Sequence, residues 1–336
     1  MLDLKSASKL EIEELFKNLK IPLYRVRQLY HWIYEKNAST IDEITEFSKE
    51  LRKSIAREAY ISNIEILRSQ VSLDGTEKFL FKLFDGETIE AVLMPEEDRS
   101  TLCASTQVGC AMGCLFCKTG SLGLKRNLKA NEIVDQILAL RRNSRKITNI
   151  VLMGMGEPLA NINEVLKAIN LMTEYLKLSP RRVTLSTVGI IDKLLLLPQM
   201  APPINLAVSI NAGDNDTRDF IMPINKKYPL EELVRALRKY PLKRGRRITL
   251  EYVLIKGIND HERDAIGLIS LIKAIPCKIN LIPFNPYKES IFQRPDEVDV
   301  LKFQKTLTDR GYSVFIRKSR GSDISAACGQ LKGDYT

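Results

Sequence analysis

The chain has 336 residues, 44% of them hydrophobic and 27% charged, with a formal net charge of +10; this fits a globular protein with a sizeable core and excludes disordered and fibrous classes. Residues 1–15 carry scattered charges and no apolar h-region, and the longest apolar stretch, Leu194 to Leu197, falls far short of a bilayer span of roughly 20 residues, so neither a secretory signal nor a membrane segment is expected. Residues 1–99 carry 15 basic and 19 acidic side chains and residues 100–336 carry 36 and 22, which places the excess that would attract a phosphate backbone in the second part.

Residues 7–60 show helical periodicity, with Leu10, Ile12, Leu15, Phe16 and Leu19 on one face and a second run through Val26, Leu29, Trp32 and Ile33, which predicts a small helical domain over 1–62. Within it Tyr24, Arg25, Arg27, Tyr30, Trp32 and Tyr34 interleave basic and aromatic side chains that could stack on RNA, although several must also fill the core. Residues 63–99 change character: apolar runs broken by Asp74-Gly75 and Asp85-Gly86 predict a short antiparallel extension. From residue 100 strands are expected near 101–107, 148–153, 182–187, 204–210, 247–255, 278–284 and 312–317. Helices are expected near 131–142, 163–176, 230–240, 261–275 and 298–310. That alternation implies parallel strands with crossover helices, an α/β barrel over 100–318 whose site lies at the strands' C-terminal ends. Residues 319–336 form a C-terminal segment. The basic clusters Lys125/Arg126/Lys129, Arg141/Arg142/Arg145/Lys146, Arg181/Arg182, Lys243/Arg244/Arg246/Arg247 and Arg317/Lys318/Arg320 all fall after residue 100.

Six cysteines without a signal peptide do not suggest a disulfide framework. Cys110, Cys114 and Cys117 sit within eight residues on a loop with Gly109, Gly113 and Gly120, which is metal-site spacing. A structural zinc wants four protein ligands; His31 and His261 are distant in sequence, so the zinc alternative needs Cys103. A [4Fe–4S] cluster held by three cysteines leaves one iron open to an exogenous amino acid.

This CxxxCxxC loop resembles that of the radical S-adenosylmethionine (SAM) superfamily, and Gly154-Met155-Gly156-Glu157-Pro158, ending the next predicted strand, resembles its SAM-binding motif. The chain as a whole is similar to the adenine-C2 RNA methyltransferases acting on 23S ribosomal RNA and transfer RNA, through Thr101 to Cys110, Met153 to Leu159, Arg182 to Thr187, Pro276 to Pro283 and Ala326 to Leu331. The resemblance implies a partial (β/α)6-type barrel, a [4Fe–4S] cluster on Cys110, Cys114 and Cys117, and SAM held by Gly156, Glu157, Ser186, Ser209, Ile210, Asn211 and Asn285. It implies a methyl-carrying Cys328, a resolving thiol at Cys103 that leaves a Cys103–Cys328 disulfide, and a proton acceptor at Glu90. It further implies a cytoplasmic monomer served by a flavodoxin-like one-electron reductant. Asn211 departs from the family's usual histidine and cannot titrate, which leaves it a positioning role. Cys277 is expected to be structural.

Two other readings stand beside this one. One is the sibling that methylates carbon 8 of the ribosomal adenosine, although Pro276-Cys-Lys-Ile-Asn and Arg317-Lys-Ser-Arg-Gly look more like the carbon-2 enzymes. The other is a non-catalytic RNA-binding metalloprotein.

Overall fold

The structure, a computed structural model, describes residues 1–333. The N-terminal unit runs β1 (Leu2–Asp3), α1 (Lys9–Asn18), α2 (Arg25–Tyr30), α3 (Lys49–Glu58) and β2 (Ala59–Tyr60), with β1 and β2 paired in parallel. Ser8 caps α1 with a reciprocal Glu11 contact, which fixes where the helix starts and so which side chains turn inward. Ile12 and Phe16, four apart, are buried, whereas Leu10, expected on the same face, is 76% exposed. A cap decides helix phase, and Leu10 lies about half a turn away from Ile12.

Strands β3 (Glu65–Val71), β4 (Glu77–Lys82) and β5 (Thr88–Pro95) form the expected antiparallel meander. Gly75 and Gly86 take φ of +80° and +88° at its two turns, the left-handed region that costs glycine nothing. The meander is continuous with the larger sheet, because β5 pairs antiparallel with β6 (Ser100–Cys103).

From β6 the chain runs β7 (Gln107–Gly109), α4 (Lys118–Ser121), β8 (Leu124–Asn127), α5 (Ala130–Arg142), β9 (Asn149–Leu152), α6 (Ile162–Glu174) and β10 (Val183–Thr187). It continues through α7 (Ile191–Met200), β11 (Asn205–Ser209), α8 (Asn215–Ile221), α9 (Leu230–Lys239), β12 (Ile248–Leu254), α10 (Glu262–Ile272), β13 (Cys277–Pro283), α11 (Glu297–Thr308) and β14 (Val314–Ile316). Strands β6, β9, β10, β11, β12, β13 and β14 lie side by side in chain order, all parallel, with a helical crossover between each successive pair. This is the parallel α/β architecture that the alternation predicts, in the partial-barrel form that the resemblance implies. Helix α7 is absent from the sequence expectation because Pro198 interrupts it and Leu195 and Leu196 stay half exposed, so its apolar pattern has no clean 3.6-residue period. The short α8 is likewise absent from that expectation.

Helix α5 is buried from Ala130 to Leu140, since the sheet covers one side and the N-terminal unit the other. Asp135 on this helix meets Lys5 at 2.6 Å with both side chains buried. Tyr30 and Tyr34 pack on Tyr175 at centroid distances of 5.0 and 5.8 Å. These two tyrosines, expected among the RNA-facing aromatics, are the seam between the N-terminal unit and the barrel. Trp32 donates to Glu46 at 2.9 Å; Tyr24, with Arg25 stacked on it at 5.5 Å, stays exposed.

Candidate active site

The C-terminal ends of the parallel strands deliver their loops to one mouth. The loop after β6 carries the cysteine cluster and is pinned from behind. Asn161 Nδ2 donates to the carbonyls of Thr106 and Leu128 at 2.9 and 2.8 Å, and Gln136 exchanges two hydrogen bonds with the Ser105 backbone. Glycine is required in the loop after β9 for a packing reason. A Cβ on Gly154 would stand 2.8 Å from the Ala104 carbonyl oxygen, and one on Gly156, at φ +103°, 2.6 Å from Gln107 Cβ. The sequence reading gave these glycines to cofactor approach; the structure shows them first letting two backbones touch.

Cys110, Cys114 and Cys117 border one cavity of about 160 Å³ together with Gly156, Glu157, Ser186, Ser209, Asn211, Asn285 and Cys328. Among the described residues no three His, Cys, Asp or Glu close around a point the size of a single ion. Three thiols that border one cavity suit an iron–sulfur cluster, because soft sulfur is the donor such clusters take. Burial pushes the Cys110 thiol up to about 12 and raises Cys114 and Cys117 as well. The positive charge of bound iron is what favours their thiolates.

Glu157 is buried, and burial pushes its carboxyl up to about 7 against three hydrogen bonds, from Leu159 N at 3.0 Å, Thr187 Oγ1 at 2.6 Å and Val188 N at 2.9 Å. A carboxylate has about four acceptor sites, so one remains for a donor in the cavity. Because only the ionised form accepts there, affinity for an amino group should rise as pH climbs through about 7. SAM titrations of cluster-loaded protein between about pH 6 and about pH 8 should show this rise, and Glu157→Gln should flatten it.

Asn211 takes φ +57°, a left-handed conformation that Asn tolerates well. Its Oδ1 accepts from Val253 N at 2.8 Å and its carbonyl from Asn259 Nδ2 at 2.8 Å, so it braces the loop after β11 while bordering the cavity. Ile210 is fully buried, its amide and carbonyl are both bonded inside the protein, and it does not border the cavity. Asn285 Nδ2 donates to the Cys328 carbonyl at 3.2 Å.

A second cavity, about 70 Å³, lies on the other side of Cys328 and Gly329 and is lined by Cys103, Met94, Arg317, Lys318 and Arg320. Cys328 is exposed and borders both spaces; Cys103 is buried at the end of β6. All six cysteines are free thiols, so the expected disulfide does not stand in this state. Burial pushes the Cys103 thiol up to about 12, opposed by the Arg317 guanidinium, which also lies 3.9 Å from Glu251. Cys277 is buried at the start of β13, away from both cavities. Glu90 borders neither of them; its carboxylate faces Lys78 and the amides of Lys332 and Gly333.

Three residues to which the sequence assigns no site role shape the site. Glu251 and Arg317 form its charged back wall; Arg317 entered the sequence reading only as part of a basic cluster. Arg218 is fully buried and donates to Ile210 O, Ser209 O, Val188 O, Tyr228 O and Asn225 Oδ1, matching the five N–H groups of a guanidinium. It holds the loops after β10 and β11 in register. Arg218→Met should cost about 3–5 kcal/mol by orphaning these acceptors, read in denaturant unfolding, and Arg218→Lys should not restore it. The basic clusters are dispersed: Arg181, Lys243, Arg244, Arg246, Arg247 and Lys278 line a concavity at the strands' N-terminal ends, opposite the cysteines.

A parallel partial barrel with three cysteines on the loop after its first parallel strand and a glycine-flanked glutamate after its second defines a radical SAM enzyme, and the profile of the Radical SAM superfamily matches residues 104–269. Residues 2–61 match the N-terminal domain of ribosomal RNA large subunit methyltransferases. The dual-specificity RNA methyltransferases RlmN of Pelobacter propionicus and Geobacter sulfurreducens are 49% and 47% identical, over 98% and 99% of this chain and 96% and 92% of theirs. A radical SAM methyltransferase from Sphaerobacter thermophilus superposes with a TM-score of 0.93 at 40% identity, covering 99% of this chain and all of that one. The chain belongs to the RlmN family of dual-specificity RNA methyltransferases.

Proposed function

We propose that this chain methylates carbon 2 of adenine in 23S ribosomal RNA and in transfer RNA, using Cys328 as the methyl carrier and Cys103 as the resolving thiol. The observation that supports this most is that Cys328 borders both the cavity of the cluster cysteines and the one containing Cys103. Carbon 2 lies between two ring nitrogens and has no lone pair, so polar methyl transfer to it is closed. Cys110, Cys114 and Cys117 would hold a [4Fe–4S] cluster, which with SAM would supply a methyl group and the one-electron chemistry that removes a hydrogen atom.

The chain's own residues do the rest. Glu157 accepts from the SAM amino group, while Ser186, Ser209, Asn211 and Asn285 frame the nucleoside; Ile210 contributes through the course of its loop. Cys328 gives up its thiol proton on methylation and, after loss of one methyl hydrogen, bonds through carbon to the base. The adduct must give up one electron, which a bound cluster would accept, and the carbon-2 proton. Cys103 then attacks the Cys328 sulfur, the carbon–sulfur bond breaks with its electron pair staying on the methylene carbon, that carbon takes a proton to become the methyl group, and a disulfide remains. In the resemblance Glu90 accepts the carbon-2 proton. Its carboxylate lies on Lys78 and the amides of Lys332 and Gly333 and lines neither cavity, contacts taken up below.

Residues 1–62 would serve as an RNA-engaging accessory unit through Tyr24 and Arg25, and residues 319–336 as the carrier segment; 334–336 lie outside the described residues. No described helix is long and apolar enough to cross a membrane; ribosomal and transfer RNA as substrates favour a cytoplasmic enzyme, with the resemblance supplying the reading of a monomer served by a flavodoxin-like one-electron reductant. Mass spectrometry of adenosine from treated RNA tests the reading. The methyl is expected on carbon 2; finding it on carbon 8 would assign the chain to the sibling activity.

A further inference from the structure

Glu90, Val92 and Met94 alternate onto one face of β5, and the segment carrying Cys328 crosses that face, with Ala326, Ala327, Gln330 and Leu331 buried and Cys328 exposed between them. Two charged side chains lie beneath it. Glu90 Oε1 meets Lys78 Nζ at 3.3 Å, with side-chain exposures of 4% and 9%. Glu90 Oε2 accepts from the amides of Lys332 at 2.8 Å and Gly333 at 3.2 Å. Lys78 Nζ in turn donates to the Ser325 carbonyl at 3.5 Å. One ion pair therefore grips the segment on both flanks of Cys328, three residues before it and four and five after it.

Neighbouring contacts follow the same plan. Asp323 accepts from Ser72 Oγ and Leu73 N, Asp74 accepts from Gly321 N, and Thr88 Oγ1 donates to the Gly333 carbonyl. A Cβ at Gly333, where φ is +70°, would stand 3.0 Å from Thr88 O, so only glycine brings the chain this close to β5. From the cluster side, Lys118 N donates to Gly329 O and Thr119 Oγ1 to Leu331 O, each at 2.7 Å. A carboxylate buried to this degree carries a desolvation cost that its lysine and two amides offset. Held in this way, Cys328 and Gly329 border both cavities.

We propose that Lys78 and Glu90 are positioning residues that clasp the Cys328 segment between the cluster loop and Cys103, and that the antiparallel strands β3–β5 are the plate on which this segment docks. The proposal takes from the functional reading only the importance of Cys328, and its first measurement does not depend on that reading. Hydrogen exchange of the full-length, cluster-loaded protein reports the clasp directly. In Lys78→Met and in Glu90→Gln the amides of 325–333 should exchange about tenfold faster or more, the scale of losing one charge-assisted hydrogen bond, while β12 and β13 keep their protection and iron content is unchanged.

Methylation of Cys328 at saturating SAM, followed by mass spectrometry of the C-terminal peptide, should slow in the same variants, and Lys78→Arg should restore both readouts. If either single variant unfolds, Lys78→Met/Glu90→Leu replaces the pair with apolar side chains and keeps the sheet; its tail should still exchange fast. Unchanged exchange at 325–333, equal acceleration throughout β12 and β13, or a loosened tail with undiminished Cys328 methylation would each overturn the clasp. A wild-type tail that is protected but never methylated overturns the functional reading and leaves the clasp standing.

Discussion

Cys103→Ala, incubated with SAM, reductant and RNA, is expected to accumulate a covalent protein–RNA adduct through Cys328, whereas Cys328→Ala forms none. The two thiols face a shared space from opposite supports. Cys103 ends β6 and is fixed by the β5 and β9 ladders, while Cys328 rides on a docked segment and opens to both cavities. Without Cys328 there is no sulfur to carry the methyl, so the base is never attacked. Without Cys103 the attack proceeds but the carbon–sulfur bond to the base is not broken. Multiple turnover should fall at least about a thousandfold in each variant, the scale on which losing a reacting group acts. The variants differ only in whether a slow-migrating, nuclease-sensitive band appears on a denaturing gel. An adduct with both, or with neither, contradicts the division of roles. Burial raises the Cys103 thiol and the Arg317 guanidinium opposes that rise, so Arg317 is the cation that favours an attacking thiolate.

Replacing Cys110, Cys114 or Cys117 with Ala should abolish the chemistry outright. Each thiol borders the same cavity, and two remaining ligands cannot hold a four-iron cluster in one geometry. The loop itself should survive, because its course is set by the Asn161 and Gln136 hydrogen bonds and by Cys110 N on the Gly123 carbonyl. Absorption spectra after anaerobic reconstitution should lose the iron–sulfur bands while thermal unfolding of the apoprotein shifts little. A variant that keeps a reducible cluster and forms 5′-deoxyadenosine would remove the basis for the site.

The sequence singled out Cys110, Cys114 and Cys117 by their spacing, and Glu157 and Cys328 by the resemblance of their short motifs; the structure brings all five to one cavity. The sequence was silent on Arg218, whose partners Val188 and Tyr228 lie 30 and 10 residues away, and on Glu251, an acid inside a strand with nothing beside it in the chain to mark it. It left open whether Tyr30 and Tyr34 face RNA or the core, since an aromatic needed for a domain seam and one needed for stacking on a base look alike in one dimension. Ile210 shares a motif with Ser209 and Asn211, yet the alternation of side chains along β11 and its exit turns it inward.

What the sequence determined by itself is therefore everything set by local order: the αβ alternation that forces parallel strands, the Asp-Gly turns of the meander, and a three-thiol loop placed after the first parallel strand. What only the tertiary structure decided is where the two ends of the chain's chemistry meet. Glu90 and Gly333 are 243 residues apart and bonded at 3.2 Å, and Cys103 and Cys328 come to one cavity from opposite ends of the barrel sequence. Such contacts leave no periodic trace, because the hydrogen bonds and packing that hold them depend on the position of the whole sheet and on no neighbouring residue.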